Sequence, residues 1–477
     1  MKLAQSLILT FFVLLTLCLV WMVPPWEPPD EPSHMLYVNY VAQNGSLPNQ
    51  NVPEQSVVGE GHQPPLYYLL GALFNRVFQP GYVASVACVP GEPCGVIGSA
   101  QVRKASIQRP DYTIDLTPVH NPKHVWNGGP SWEVPVYKHL SSDIFRTDRD
   151  RYNFYALRLL SVMWAALNVA LMFKLFQLFL PEGGWALAPA LFVVTLPQFL
   201  FISAAIDNDN LANLLCTASL YLSLRILTSP GQRRNYLGLG LALGLGLLTK
   251  KTLLFTLPVI VLILVYAACR QRPQRQTVLR WGAMLFMIAT LVGGFFFLRN
   301  YRLYGEWLGT QMEKRTLPDL VQVKSLLAPY FRTTFPVNLY LSYVGKFGYM
   351  NVSLPKGAYL GYALVIAGGV AGLVLYLLEK RLRDARVSFA LLFVLSCLAG
   401  VVVYDLTYSM PQGRFLFPVI SLLAVLLTLG WRAVLERLRP RWAKRVVAGV
   451  ILLGLLALDV VSVVVIYQFY HAASQYW

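Results

Sequence analysis

The chain has 477 residues, of which 56% are hydrophobic and only 13% charged, with a formal net charge of +17 at pH 7. So apolar a composition excludes a soluble protein of several domains and is that of a polytopic membrane protein. The positive balance does not point to nucleic acid, because the basic residues gather in short connections between apolar runs and so mark one face of a membrane.

A hydrocarbon core of about 30 Å is crossed by roughly 17 to 25 apolar residues of helix. About eleven such runs follow one another, at residues 5–23, 154–179, 184–204, 210–228, 235–249, 252–269, 281–298, 357–378, 387–404, 415–431 and 446–467. The expected fold is therefore an all-α transmembrane bundle. The first run ends in WMVPPWEPP, which lacks a small-residue cleavage site and so reads as a retained signal-anchor. With the N-terminus inside, the connections carrying Arg233 and Arg234, then Arg270 to Arg280, then Lys380 to Arg386, then Arg432 to Arg445 fall on the cytoplasmic side. The two long connections, 24–152 and 299–356, then lie outside, as expected of a multi-pass protein of the plasma (inner) membrane.

Directly after the first run comes VPPWEPPDEPSHMLYVNYVAQNGSLP, with adjacent carboxylates at Asp30 and Glu31 where a membrane helix ends. Ionisable groups at that depth are costly, so the pair is a site hypothesis. It also suits a plain interfacial helix start, since Pro28 and Pro29 precede it and acids favour a helix N-terminus, and both readings stand together. Such a helix places Asp30 and His34 one turn apart on one face. Further on, Pro64 and Pro65 open an apolar helix ending near Phe78, too short to span and so interfacial. Cys88 and Cys94, in CVPGEPC, predict a small disulfide-closed turn in an oxidising compartment. The second long connection is rich in aromatic residues, which serve first as interfacial anchors.

Ionisable residues cluster on the outer side under this topology: Asp30, Glu31 and His34; Glu60 and His62; Asp207 and Asp209 with Lys250 and Lys251; and Arg299 with Arg414. Each alone reads equally as a solvated turn, but their confinement to one face is informative. GLLTKK puts two cations at an outer helix end, against the positive-inside tendency, so an anion should compensate them. Asp207 or Asp209 would be the structural answer and a lipid phosphate the functional one. Arg414 poses the same choice, its planar fork being suited to phosphate. Asp459, within the last run, reads as a helix-packing hydrogen-bond partner with no catalytic role.

These segments, PPDEPSH, HQPPLYYLL, IDNDNLANLL, LLTKKTLL, LRNYRLYGEWLG and PQGRFLFP, in this order and spacing, resemble the GT-C superfamily of integral-membrane glycosyltransferases. The likeness is to bacterial relatives of protein O-mannosyltransferases and lipid A aminoarabinose transferases. It covers residues 1–431 as a transmembrane catalytic module, leaving 432–477 as a basic cytoplasmic connection and a last span. The resemblance implies transfer of a sugar, with inversion, from a polyprenyl-phosphate carrier to a hydroxyl-bearing glycan, lipid or protein at the extracytoplasmic face. By position it implies Asp30 as the catalytic acid residue with Glu31 beside it, and Lys250, Arg414 and Arg299 around the donor phosphate. His34, His62, Asp207 and Asp209 are expected to line the substrate. His62, ahead of the two prolines where aminoarabinose transferases carry a Lys, is a departure. No metal ligand is assigned and no cofactor is certain, and a divalent metal stays open.

The residues by themselves fit that chemistry, since one carboxylate can take the acceptor proton while cations stabilise the departing phosphate. The short inner connections could not build a nucleotide-binding domain. The alternatives are a lipid-linked sugar flippase or transporter, which would show ionisable residues at mid-membrane and symmetry between halves, and a non-catalytic membrane scaffold. The partners expected are the lipid-linked donor, its acceptor and membrane lipids, with no nucleic acid.

Overall fold

The computed structural model describes residues 2–79, 86–87, 95–96, 107–108, 113–114, 148–181, 183–270, 272–316, 321–379, 384–408 and 410–473. Cys88 and Cys94, and with them the expected disulfide, lie outside the described residues.

In chain order the helices are α1 (Lys2–Met22), α2 (Glu31–Asn44), α3 (Leu66–Phe78), α4 (Asp148–Phe179), α5 (Ala188–Val194), α6 (Pro197–Ser203), α7 (Asp209–Thr228), α8 (Arg233–Leu247), α9 (Thr256–Arg270) and α10 (Arg275–Tyr304). They continue as α11 (Thr310–Thr316), α12 (Thr334–Gly345), α13 (Lys356–Leu378), α14 (Ala385–Asp405), α15 (Ile420–Arg437) and α16 (Arg441–Ala473). Described strands form only two-residue antiparallel pairs, so the fold is the all-α bundle expected.

Among the described residues nine helices are long and apolar enough to cross a membrane, and a tenth span results if α5 and α6, bent by 69°, count as one. The bend falls before Pro197, which has no N–H to give and disfavours helical backbone at the residue ahead of it. The fifth run read from the sequence, 235–249, is the exception. It forms α8, whose 15 residues reach about 22 Å at 1.5 Å per residue, short of a span by themselves. α8 nonetheless returns the chain from the far end of α7 to Lys250, sheltered between α7 and α10.

Long-range bonds fix which ends lie together. Asn51 Nδ2 donates to the Leu303 carbonyl at 2.8 Å and Arg299 to the Pro48 carbonyl at 2.7 Å, so the two long connections share one end of the bundle. At the opposite end Arg386 donates to the Leu178 carbonyl and Arg437 pairs with Glu379. The basic connections and the aromatic-rich ones are thus segregated, as the charge pattern predicts.

Where helices meet, small residues let backbones approach, the contact that replaces hydrophobic driving force inside a bilayer. A Cβ on Gly430 of α15 would stand 1.8 Å from the Gly369 carbonyl oxygen of α13. At the site end, Gly413 allows the 3-10 segment Gly413–Val419 to press against α12, because a Cβ there would lie 2.2 Å from the Tyr343 nitrogen. The main core runs through the bundle from Phe12 and Val20 to Phe417 and Val425. A second cluster, including Trp26, Tyr37, Tyr67, Tyr68, Phe154 and Ile206, forms a floor beneath α2 and α3.

Candidate active site

α2 begins as expected, with Pro32 in its first turn and Gly45 closing it at φ 66°. Asp30 holds the position before it in the left-handed conformation, φ 62°, and makes no side-chain cap to its own helix. An acid tolerates that backbone better than most residues. The consequence is that Asp30 and Glu31, adjacent in sequence, point to different partners.

Glu31 is fully buried and accepts a forked pair of bonds from Arg158 of α4, both at 2.8 Å, together with the backbone N–H groups of Trp26 and Ile206 at 3.0 Å. Arg158, also fully buried, spends its remaining N–H groups on the carbonyls of Val20, Val23 and Pro24, at 2.8, 2.7 and 3.0 Å. All five guanidinium donors are thus used, and the end of α1, the start of α2, α4 and the loop before α7 are tied at one point. An arginine in the apolar run YALRLLSVMW was a signal for such a role, since a cation there needs a buried partner.

Asp30 instead meets Arg414, whose Nη2 donates to it at 2.5 Å. Arg414 Nη1 donates to Asp207 at 2.8 Å and its Nε to Gln412 at 2.6 Å. Lys250 pairs with Asp209, and Asp209 lies 3.9 Å from Arg414 through its other oxygen. The Asp209 N–H donates to Asp207 at 2.8 Å, so IDND forms a turn that presents both carboxylates to the two cations. His34 stands within hydrogen-bond distance of the Tyr68 hydroxyl, 2.9 Å, with its other nitrogen 3.6 Å from Asp207, and Tyr68 stacks on Tyr37 at 3.7 Å between ring centroids. The sequence-predicted Asp30, His34, Asp207, Asp209, Lys250 and Arg414 therefore converge, and Tyr68 and Gln412, which sequence reasoning missed, complete the centre.

Burial opposes charge on every one of these groups, and the neighbours decide which keep it. For Asp30 burial pushes upward, but the charge of Arg414, its hydrogen bond and the charge of Lys250 outweigh it and the carboxyl is lowered below its ordinary value. Burial is also the first cause at Asp207, reinforced by Asp209, and there it prevails over Arg414 and Lys250, raising the carboxyl to about 7. Lys250 would lose its proton to burial alone, yet Asp209 and Asp207 raise it, so it stays charged. Burial lowers His34 to about 3 despite Asp30, so its imidazole is neutral. The 3.6 Å approach to Asp207 is accordingly a polar contact rather than an ion pair. Asp30 retains 29% side-chain exposure, against 0% for Asp207 and 7% for Asp209.

The other expected residues stand apart. Lys251 turns away from Lys250 to pair with Glu313 of α11 at 2.7 Å and donates to the Leu308 carbonyl at 3.2 Å. Each cation of GLLTKK thus has a carboxylate beside it, Asp209 for Lys250 and Glu313 for Lys251. His62 lies 3.8 Å from Glu313, holds the Gly59 carbonyl at 3.0 Å, and is lowered to about 4 by burial, so it too is neutral. Arg299 clamps the carbonyl of Pro48 outside the Arg414 centre. Asp459 departs from expectation: it is buried in α16, and neither carboxylate oxygen finds a hydrogen-bond partner among the described residues. Among those residues no group of three or more His, Cys, Asp or Glu is placed to hold a metal.

Residues 142–293 match the family described as dolichyl-phosphate-mannose-protein mannosyltransferase. No curated protein matches the chain in sequence. In fold it is similar to ArnT from Cupriavidus metallidurans bound to undecaprenyl phosphate, with 12% identity and a TM-score of 0.53 over 97% of this chain and 76% of that one. The apo state of the same protein gives a TM-score of 0.52 at 12% identity, over 98% and 76%. The resemblance carried by the motifs is borne out by the family match over residues 142–293 and by fold over nearly the whole chain.

Proposed function

We propose, starting from that likeness to the GT-C membrane glycosyltransferases, that the chain moves a sugar from a polyprenyl-phosphate carrier to a hydroxyl of a glycan, lipid or protein at the extracytoplasmic face, with inversion. What supports the donor class, beyond the family match, is the state of the two central cations. A guanidinium has five N–H donors and an ammonium three; Arg414 gives three of its own to Gln412, Asp207 and Asp30, and Lys250 gives one to Asp209. Two N–H groups remain on each, so the carboxylates orient the cations without exhausting them. Contrast Arg158, which is saturated. Unspent donors on two neighbouring cations, beside a carboxylate with 29% side-chain exposure, suit a phosphate and the hydroxyl that displaces it.

In this reading Arg414 and Lys250 hold the phosphate and stabilise the charge it gains as the bond to the anomeric carbon breaks. Asp30 takes the proton of the attacking hydroxyl. Asp207 and Asp209 position the cations, His34 and Tyr68 bound the pocket as neutral groups, and Glu31 serves the backbone that carries Asp30. The phosphate is already a good leaving group, so no protein nucleophile is needed.

Lys250→Ala and Arg414→Ala are each expected to weaken undecaprenyl phosphate binding by about 10- to 150-fold, the ~1.5–3 kcal/mol of a hydrogen bond to a charged group. Arg414→Lys should restore only part, for want of the planar fork. Titration of the purified variants with the lipid decides it: unchanged affinity in both alanine variants, with the fold intact, would leave the cations a purely structural role.

The face is tested by labelling. In a cysteine-free background, single cysteines at the exposed positions Gln43 and Leu327 should react with an impermeant thiol reagent on intact cells, and one at Arg234 only after permeabilisation. The reverse pattern would place the site on the cytoplasmic side and remove a polyprenyl-phosphate sugar presented from outside.

A further inference from the structure

We propose that Tyr470, near the end of the last span, is a positioning residue for this transfer: its hydroxyl holds the loop ahead of α2 in the shape that turns Asp30 toward Arg414. The inference rests on the function proposed above. It brings into the site a helix, α16, that lies beyond the segments carrying the resemblance.

The direction of Asp30 is set by its backbone, since its side chain makes no cap to its own helix. Among the described residues only three other than glycine have left-handed backbone, Trp26 at φ 74°, Asp30 at φ 62° and Met350 at φ 66°. Such a conformation is unfavourable for these residue types and persists only where the surroundings over-determine it. Two of the three lie in the loop that ends at the Asp30 carboxylate.

The first half of that loop is held from α4 and α2. Arg158 donates to the carbonyls of Val23 and Pro24 at 2.7 and 3.0 Å, Glu31 accepts from the Trp26 N–H at 3.0 Å, and the Trp26 ring stands edge-on to Phe154, 4.9 Å between centroids. The second half holds Pro28 and Pro29, which have no N–H to give. There the Glu31 N–H reaches the Pro28 carbonyl at 3.4 Å, and Glu27, with no exposure, accepts from the Tyr470 hydroxyl of α16 at 3.4 Å.

Tyr470 is placed in turn by the hairpin that Met350 helps to close. Lys346–Phe347 pairs antiparallel with Val352–Ser353. The Lys346 N–H donates to Gln198 of α6 at 2.7 Å, and the Tyr359 hydroxyl of α13 accepts from the Leu354 N–H at 3.1 Å and donates to the Gly345 carbonyl at 2.6 Å. At the tip Gly348, φ 60°, lets the hydroxyl in, because a Cβ there would stand 3.1 Å from the Tyr470 oxygen. Tyr349 beside it joins the floor cluster that contains Trp26. Last span, hairpin and loop are thus packed as one unit behind Asp30. Removing the hydroxyl leaves Arg158, Arg414 and Lys250 with all their partners, so the base loses its orientation while the phosphate keeps its donors.

The test compares wild type with Tyr470→Phe, which keeps the ring, and with Tyr467→Phe, which removes a hydroxyl from a half-exposed tyrosine one turn away on the same helix. Hydrogen exchange at Trp26, Glu27, Asp30 and Glu31 should quicken by about 5-fold in Tyr470→Phe, the opening that loss of one ordinary hydrogen bond allows. Its undecaprenyl phosphate affinity should stay within about 2-fold, and its turnover of a polyprenyl-phosphate sugar should fall by about 10-fold or more, toward the ~100-fold that a misplacement of about 1 Å costs. Tyr467→Phe should match wild type in all three. Unchanged turnover in Tyr470→Phe, an equal loss of affinity and turnover in it, or the same losses in Tyr467→Phe would overturn this role alone. Failure of the folded wild type to bind undecaprenyl phosphate would overturn the underlying function together with it.

Discussion

Asp30→Asn is expected to leave the protein folded and able to bind undecaprenyl phosphate while sugar transfer falls by about 100-fold or more, the range for losing a positioned general base. Asn is nearly isosteric and, like Asp, tolerates the left-handed backbone that Asp30 adopts at φ 62°. The change therefore removes the charge and leaves the turn. Its oxygen can still accept from Arg414, so the cation keeps its place. Arg414 and its neighbours hold the Asp30 carboxyl below the ordinary carboxylate range, so it is ionised throughout neutral pH, and activity controlled by Asp30 should be lost only on acidification below that range. Transfer from a polyprenyl-phosphate sugar, assayed against pH in detergent or vesicles, checks both points. Full activity in Asp30→Asn would place the base elsewhere.

Glu31→Gln is expected to act on stability first. Removing one partner of a fully buried ion pair leaves the other charge uncompensated, at a cost of about 3–5 kcal/mol. Here the stranded group would be Arg158, which has no exposure and whose other hydrogen bonds all go to the carbonyls of Val20, Val23 and Pro24. Arg158→Met should cost about as much by stranding Glu31, and the double variant should recover part of the loss, because no unpaired charge is left buried. Thermal unfolding of the four proteins in one detergent measures the cycle. Loss of transfer per folded molecule in Glu31→Gln, with unchanged thermal stability, would make Glu31 a catalytic group instead.

The membrane class, the segregation of basic connections to one end, the short apolar helix α3 and the gathering of ionisable residues at the other end were all legible in the chain. They depend on local composition: an apolar run of sufficient length must be a buried helix, and Lys/Arg in short connections must stay on one side. The motifs, by their order, also carried the resemblance to a family. The number of full spans was less legible, because α8 is short and α5 and α6 divide at Pro197, and whether such segments are sheltered depends on neighbours far along the chain.

The assignment of partners belonged to the tertiary structure. Asp30 and Glu31 are consecutive, yet Asp30 finds Arg414, 384 positions on, and Glu31 finds Arg158, 127 positions on. Lys250 and Lys251 diverge in the same way, to Asp209 and Glu313, across a break where Lys250 is extended at φ −155° and ψ 131°. Arg299, grouped with Arg414 by charge alone, holds a loop carbonyl instead. The first two outcomes turn on the backbone at Asp30 and at Lys250, which sends neighbouring side chains to different faces, and all three on which segment happens to stand there. Sequence placed the charges at the right end of the bundle; only packing, by setting burial and the nearest opposite charge, decided which of them are structural, which stay ionised with donors to spare, and which, like His34, are left neutral.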